Sequence, residues 1–154
     1  MKLLLGDAHL HLKAADSLPS ISSNNCIFLI NGTTPLDWKQ ILSLHSKQII
    51  PFLGLHPWYL DKYSLEDLSI LEDYLKHNSQ IGIGEIGLDN SQRFKENPNN
   101  ITKQIDCFQA QLEIAFKYKR PVSIHIVKAW DAFFTILKNK KLPTFMIHAF
   151  SHSK

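Results

Sequence analysis

Six short apolar runs, separated by stretches of helical periodicity, place the strongest constraint on how this chain folds. The runs cover residues 3–11, 26–32, 49–55, 80–86, 121–127 and 144–150. Apolar runs of this length are typical of strands with both faces covered, and such strands alternate with amphipathic helices in parallel sheets. The sequence therefore predicts an α/β fold built from repeated strand and helix units.

Start signals mark the first two helical stretches. Thr34 precedes Pro35, and Asp37 follows three residues after the threonine, so a capping residue is followed by proline at the first helical position. Ser64 and Asp67 repeat the capping pattern before the second stretch. We expect a helix to begin after each of these caps.

Apolar residues recur at steps of three and four in the third and fourth helical stretches. The third stretch opens at Asn97 and Pro98. The recurring residues are Ile101, Ile105, Phe108, Leu112 and Ala115 in the third stretch, and Trp130, Phe133, Phe134 and Leu137 in the fourth. Such stripes predict helix faces that pack against the core.

Five potential metal ligands each lie at the end of a strand-like run. They are His9, His11, Glu85, His125 and His148. Alternate residues of a strand point to the same face, so His9 and His11 can hold one ion together. Imidazole and carboxylate ligands from separate strands suit a hydrolytic divalent ion that keeps one position open for water. Any one of these residues alone is more often a core or loop residue, but the five together predict a metal centre.

The positions of these ligands select the type of α/β fold. In (β/α) barrels the functional residues gather at the carboxyl ends of the strands. We therefore predict a TIM-barrel-like (β/α) metallohydrolase fold in a single domain, residues 1–154, with about six of the eight strands of a full barrel present. This domain is expected to be incomplete at its C-terminal end, with the first and sixth strands as open edges. The polar stretch 89–100 is predicted to be a loop at the barrel mouth.

Composition excludes several other classes of protein. A chain of 154 residues fits one domain, and a net charge of +3 permits a polyanionic partner without requiring one. Two cysteines, Cys26 and Cys107, give no disulfide framework. No apolar run approaches the roughly 18 residues of a membrane span, and the first run reaches Asp7 and His9 too soon for a signal peptide. We expect a cytoplasmic enzyme with no membrane contact.

Five sequence blocks, in order, resemble the signatures of the TatD family of metal-dependent hydrolases, within the amidohydrolase superfamily. They are "DAHLHL", "GLHPWY", "GIGEIGLD", "QIDCFQAQLEIAFKYKRPVSIH" and "IHAFS", and they extend over residues 7–151. The resemblance implies a (β/α) barrel with one to three divalent ions at its mouth. It also implies hydrolysis of phosphodiester bonds, with 3′ exonuclease activity and DNA as the substrate.

The resemblance assigns a role to each candidate ligand. His9 and His11 would hold the first ion, His125 and His148 would hold the second, and Glu85 would bridge the two and act in catalysis. Two divalent ions are therefore implied. This ligand set suits zinc, manganese or nickel, whereas magnesium is less suited because it prefers oxygen ligands.

Three further residues are predicted to bind substrate. His56 and Trp58, in "GLHPW", fall where family members carry a histidine-rich loop, and Trp58 replaces the second histidine of the usual HPH. Trp58 could stack on a base or cover the core at the rim; both remain open. Lys128 lies close to where many members have an arginine, and it would act as a point charge. Arg93 and Lys95 could also contact a phosphate group of the substrate, or they could be solvated charges on the loop.

One family feature lies beyond this sequence. The remaining metal-binding and catalytic aspartate of the family lies after the "IHxFS" block, and the sequence ends at Lys154. We therefore expect weak or undetectable nuclease activity from this chain, with His152 as a stray nitrogen ligand or a frayed terminal residue. Two alternatives stay open: an amide or ester hydrolase of the same superfamily, and an inactive remnant that still binds metal. The oligomeric state cannot be predicted.

Overall fold

A computed structural model describes residues 5–12, 26–91, 100–138 and 142–150. Within these ranges, strands and helices alternate from β2 onwards. The strands are β1 (Leu5–Leu10), β2 (Cys26–Gly32), β3 (Ile49–Leu53), β4 (Gly82–Asp89), β5 (Val122–Val127) and β6 (Phe145–His148). The helices are α1 (Pro35–Leu42), α2 (Leu68–His77), α3 (Asn100–Tyr118) and α4 (Trp130–Leu137). Short 3₁₀ turns cover Pro57–Tyr59 and Leu65–Asp67.

The six strands form one parallel sheet whose spatial order equals the chain order, β1 to β6. This order and the flanking helices make a nearly closed barrel of TIM type, so the predicted fold class is confirmed. β1 and β6 are the edges of the described sheet. At the carboxyl end of the strands, the rings of His9 and His148 stack with centroids 3.7 Å apart, so the two edges meet there.

The core lies between the sheet and its helices. Phe108, Leu112 and Ala115 of α3 are buried, as are Leu71 and Leu75 of α2. Each fully buried side chain of the size of leucine or phenylalanine stabilises the fold by about 1.5–3 kcal/mol. The predicted stripe of α3 therefore packs against the core, while Ile101 and Ile105 are partly buried beside it.

The predicted caps of the first two helices are present. Thr34 caps α1 in a capping box with Asp37, and Pro35 occupies the first turn. Ser64 and Asp67 also form a capping box, but they begin the 3₁₀ turn Leu65–Asp67, and α2 starts only at Leu68. The predicted opening of the third helix at positions 97–98 lies outside the described residues.

The sequence predictions were wrong in detail at several strand ends, of which that of β4 matters most, and on one helix face. β4 continues to Asp89 instead of ending at Ile86, because its backbone stays paired with β5 as far as Val127. On α4, Phe134 is 47% exposed, whereas Phe133 and Ile136 are buried. Apolar residues surround most of this short helix, so the position of the sheet, and not the periodicity, decides which of them face the core.

No helix in the described ranges is long and apolar enough to cross a membrane.

Candidate metal centre

β1 delivers two histidines to one point, as its alternating side-chain directions predict. The Nε2 atoms of His9 and His11 lie 2.9 Å apart, and they are 3.4 Å and 3.0 Å from Oε2 of Glu85. The Nδ1 atom of His11 lies 2.9 Å from the carbonyl oxygen of Asn31, which can only accept a hydrogen bond. Nδ1 therefore carries a proton. Without an ion, the hydrogen bond between Nε2 and Glu85 raises the pKa of His11, whereas in the neutral ring Nε2 could offer a lone pair to an ion.

The carboxylate of Glu85 is the middle of the cluster, and it is only 2% exposed. Its two oxygens face different histidines. Oε2 faces His9, His11 and, at 3.8 Å, His56, whereas Oε1 faces His125 at 3.2 Å and His148 at 3.9 Å. Burial alone would raise the pKa of Glu85, but hydrogen bonds with His11, His125 and His9 outweigh it and lower this pKa far below its ordinary range.

A glycine allows β4 to approach β5 closely at this point. Gly87 has a φ of +150°, and a Cβ atom built on it would lie 1.9 Å from the carbonyl oxygen of His125. Only glycine fits there. The close approach brings Glu85 and Asp89, on either side of Gly87 along β4, to the ring of His125 on β5.

His125 lies between two buried carboxylates. Its Nδ1 is 3.2 Å from Oε1 of Glu85, and its Nε2 is 3.1 Å from Oδ2 of Asp89. Burial disfavours the charged ring, but the hydrogen bonds to Asp89 and Glu85 outweigh it and raise the pKa of His125 to about 9. The imidazolium therefore compensates two buried negative charges when no ion is bound.

Sequence reasoning missed Asp89 as a member of the cluster. Asp89 is 2% exposed, and its Oδ2 also accepts a hydrogen bond from the indole N–H of Trp58. It stands four residues after Glu85, and an even spacing keeps both residues on one face of a strand. The alternation that indicated His9 and His11 would have found Asp89 if the strand had been predicted to continue beyond Ile86.

His56 faces the same carboxylate from the turn that follows β3. Its Nδ1 accepts a hydrogen bond from the backbone N–H of Trp58, so the neutral ring carries its proton on Nε2. Burial lowers the pKa of His56 to about 3, which keeps the ring neutral near pH 7. His56 thus presents an N–H donor toward Glu85. The potential ligand atoms of His56, Glu85 and His125 also lie within 4.8 Å of one another, a spacing that would suit a bound ion.

The remaining predicted residues lie at the rim or outside the description. Trp58 is 38% exposed at the mouth of the cluster. Lys128 follows β5 at the same end of the sheet and is exposed; within the described ranges it forms no ion pair. Arg93, Lys95 and His152 lie outside the described residues, as does most of the predicted 89–100 loop.

The donor set fits a divalent ion. Two groups bring three potential ligand atoms within 4.8 Å of one another, namely His9, His11 and Glu85, and His56, Glu85 and His125. The Nε2 atoms of His9 and His11 converge on one carboxylate oxygen, as ligands of a shared ion do. Among the described residues, the buried Nδ1 of His9 has no hydrogen-bond partner, so the hydrogen bonds formed there do not satisfy this ring.

The cluster forms the floor of an open cavity of about 420 Å³. Its wall on one side is the 3₁₀ turn with Trp58 and Tyr59, and on the other side it is α1 with Asp37 and Gln40. A position at the carboxyl ends of the strands, open to solvent, is where barrel enzymes bind substrate.

Comparison with known proteins identifies the relatives of this chain. The model of the TatD related DNase family matches residues 6–154. The chain belongs to this family. It is 32% identical to the 3′-5′ ssDNA/RNA exonuclease TatD of Erwinia amylovora over 131 residues, which are 82% of this chain and 49% of that relative. It is 36% identical over 104 residues to an uncharacterized metal-dependent hydrolase of Haemophilus influenzae, covering 66% of this chain and 40% of the relative.

The fold agrees with a solved TatD family structure. The crystal structure of YjjV, a TatD homolog from Escherichia coli K12, superposes with a TM-score of 0.74 at 28% identity, over 82% of this chain and 49% of that one. The chain spans about half the length of the curated relatives it matches. The resemblance drawn from the five sequence blocks is thereby confirmed.

Proposed function

We propose that this chain carries the metal centre of a divalent-metal-dependent hydrolase that cleaves phosphodiester bonds of DNA from the 3′ end. The observation that carries the proposal is the convergence of His9, His11, His125 and His148 on the two oxygens of Glu85. Relatives named as 3′-5′ ssDNA/RNA exonucleases favour phosphodiester cleavage over amide or ester hydrolysis.

The geometry supports a two-ion arrangement. His9 and His11 would hold one ion on the Oε2 side of Glu85, His125 and His148 would hold the second on the Oε1 side, and Glu85 would bridge both. Zinc, manganese or nickel suits this set better than magnesium, because most donors are imidazoles. Such ions, when bound, polarise a phosphoryl oxygen and lower the pKa of bound water.

The protein's own groups would orient the substrate. The neutral ring of His56 offers its Nε2–H to a phosphate oxygen beside Glu85. The indole of Trp58 is partly exposed, and its hydrogen bond to Asp89 fixes the ring, so it would stack on a terminal base. Lys128, at the carboxyl end of β5, would attract the phosphate backbone as a point charge.

A single-turnover assay tests the function. The protein, in excess over a 5′-labelled single-stranded DNA, is incubated with Mn²⁺ or Zn²⁺, and we expect a ladder of products shortened from the 3′ end. Glu85→Ala should abolish the ladder, because it removes the bridging ligand. His45→Ala, which changes an exposed histidine remote from the cluster, should leave it unchanged.

The same assay separates the alternatives. Circular single-stranded DNA should remain intact, because an exonuclease needs an end. No cleavage by the wild type with either ion would reject the nuclease proposal. Ion binding by calorimetry together with absent cleavage would instead indicate a metal-binding protein without this activity.

A further inference from the structure

The backbone pairing between β3 and β4 is short. They pair at only two positions, Phe52 with Gly82 and Leu53 with Ile83, and β3 ends at Leu53. Beyond that point lie Leu55 and Asp89, both buried. A buried backbone N–H or C=O without a partner is costly, so the backbone groups beyond this short pairing need another source of hydrogen bonds.

Two glutamines of α3 supply those hydrogen bonds. Oε1 of Gln111 accepts from the N–H of Leu55 at 2.7 Å, and its Nε2 donates to the carbonyl of the same residue at 3.2 Å. Oε1 of Gln104 accepts from the N–H of Asp89 at 2.7 Å, and its Nε2 donates to the carbonyl of Asp89 at 3.0 Å. Each side-chain amide therefore pairs with both the N–H and the C=O of one residue, as a residue of a neighbouring strand would.

The two glutamines form a buried pair on α3. They stand seven residues apart, which places them on the same face of α3, and each is only 1% exposed. An apolar residue of similar size would fill this position without burying an amide, and a buried amide is costly unless it is hydrogen-bonded. The requirement for glutamine therefore comes from the backbone groups that it contacts.

Both contacted residues, Leu55 and Asp89, lie next to or within the candidate metal centre. Leu55 directly precedes His56, and Asp89 holds the ring of His125 and the indole of Trp58 through its carboxylate. The N–H and the C=O of one residue belong to two successive peptide groups, so these two hydrogen bonds fix the backbone on both sides of its Cα atom. We propose that Gln104 and Gln111 are positioning residues of the metal centre, which set the places of His56 and Asp89 through the backbone without touching ion or substrate.

This inference rests on the proposed metal centre, and near-isosteric variants test it. Gln104→Met and Gln111→Met keep the volume but remove donor and acceptor, and Gln109→Met makes the same change elsewhere on α3. Titration calorimetry with Mn²⁺ and Zn²⁺ on the folded proteins should show about 10–100-fold weaker binding in Gln104→Met, the usual loss for residues that orient metal ligands, because Asp89 orients the ring of His125. Gln111→Met, which acts on His56, should instead weaken binding of single-stranded DNA. The Gln109 variant should bind as the wild type does.

A spectroscopic signal reports on the position of Asp89 without any ion. The indole N–H resonance of Trp58, assigned from Trp58→Phe, should shift in Gln104→Met because its acceptor moves, and should not shift in Gln109→Met. If Gln104→Met retains both the wild-type resonance and the wild-type affinity, the positioning role is wrong. If the wild type binds no ion, the proposed function is wrong. The shift of the Trp58 indole resonance would still test whether Gln104 positions Asp89.

Hydrogen exchange of the wild type tests the inference without any substitution, so the test does not depend on whether the variants fold. The amides of Leu55 and Asp89 should exchange as slowly as those in the middle of β4, because each donates to a buried glutamine oxygen. Exchange as fast as that of an exposed loop at both positions would overturn the inference without any substitution.

Discussion

Candidate metal ligands are easier to find in a sequence than residues that would hold such ligands in place. His9 and His11 were apparent from their spacing, because a strand places alternate side chains on one face. Asp89 was not, because its role depends on the strand continuing past Ile86 and on contacts with Trp58 and His125. Gln104 and Gln111 stand beside the apolar stripe of α3, and the sequence gives no sign that they bind the backbone of Leu55 and Asp89.

At the residue scale, Trp58 tests the nucleic-acid contact. Replacing it by alanine should weaken binding of single-stranded DNA by about 1–3 kcal/mol, the usual contribution of one stacked base. Trp58→Phe keeps an aromatic face and should lose less, although it removes the hydrogen bond to Asp89. Fluorescence anisotropy with labelled DNA, in the presence of a divalent ion first shown not to support cleavage, measures both.

The comparison of these two variants separates stacking from positioning. Equal losses for alanine and phenylalanine would show that the indole acts through Asp89 alone. No loss in either variant would make Trp58 a rim aromatic that only covers the core, the second interpretation that the sequence left open.

At the scale of elements, the existence and order of the strands could be predicted, but some of their ends could not. Six apolar runs became six parallel strands, because such runs can be covered only between layers of helices. The end of β4 depends on pairing with β5, and pairing partners are not encoded locally. The face of α4 likewise depends on where the sheet lies, which is why Phe134 is exposed against expectation.

The approach of β4 to β5 gives a prediction for this pair of strands. Gly87→Ala should destabilise the protein by about 1–3 kcal/mol from its positive φ alone, and the contact with the carbonyl of His125 should add to this. Gly6→Ala is the matched control, because its added Cβ would meet only a carbonyl oxygen at 3.8 Å. Urea denaturation measures both, and equal midpoints for the two variants would show that β4 and β5 can separate without cost.

At the scale of the whole molecule, the centre links strands that are distant in sequence. The proposed ligands come from β1, β4, β5 and β6, and the stacked rings of His9 and His148 join the first strand to the last. An ion held there would connect the two edges of the sheet more directly than any described backbone pairing does. The metal is therefore expected to matter for folding as well as for chemistry.

Metal should accordingly stabilise the folded chain by mass action. At a metal concentration a hundredfold above its dissociation constant, the free energy of unfolding should rise by about 2.7 kcal/mol, because the unfolded chain cannot assemble the ligands. The His9→Ala, His11→Ala double variant should lose most of this gain, whereas His45→Ala should keep it. Urea denaturation with and without Zn²⁺ measures the difference, and an equal gain in the double variant would mean that the ion binds elsewhere on the chain.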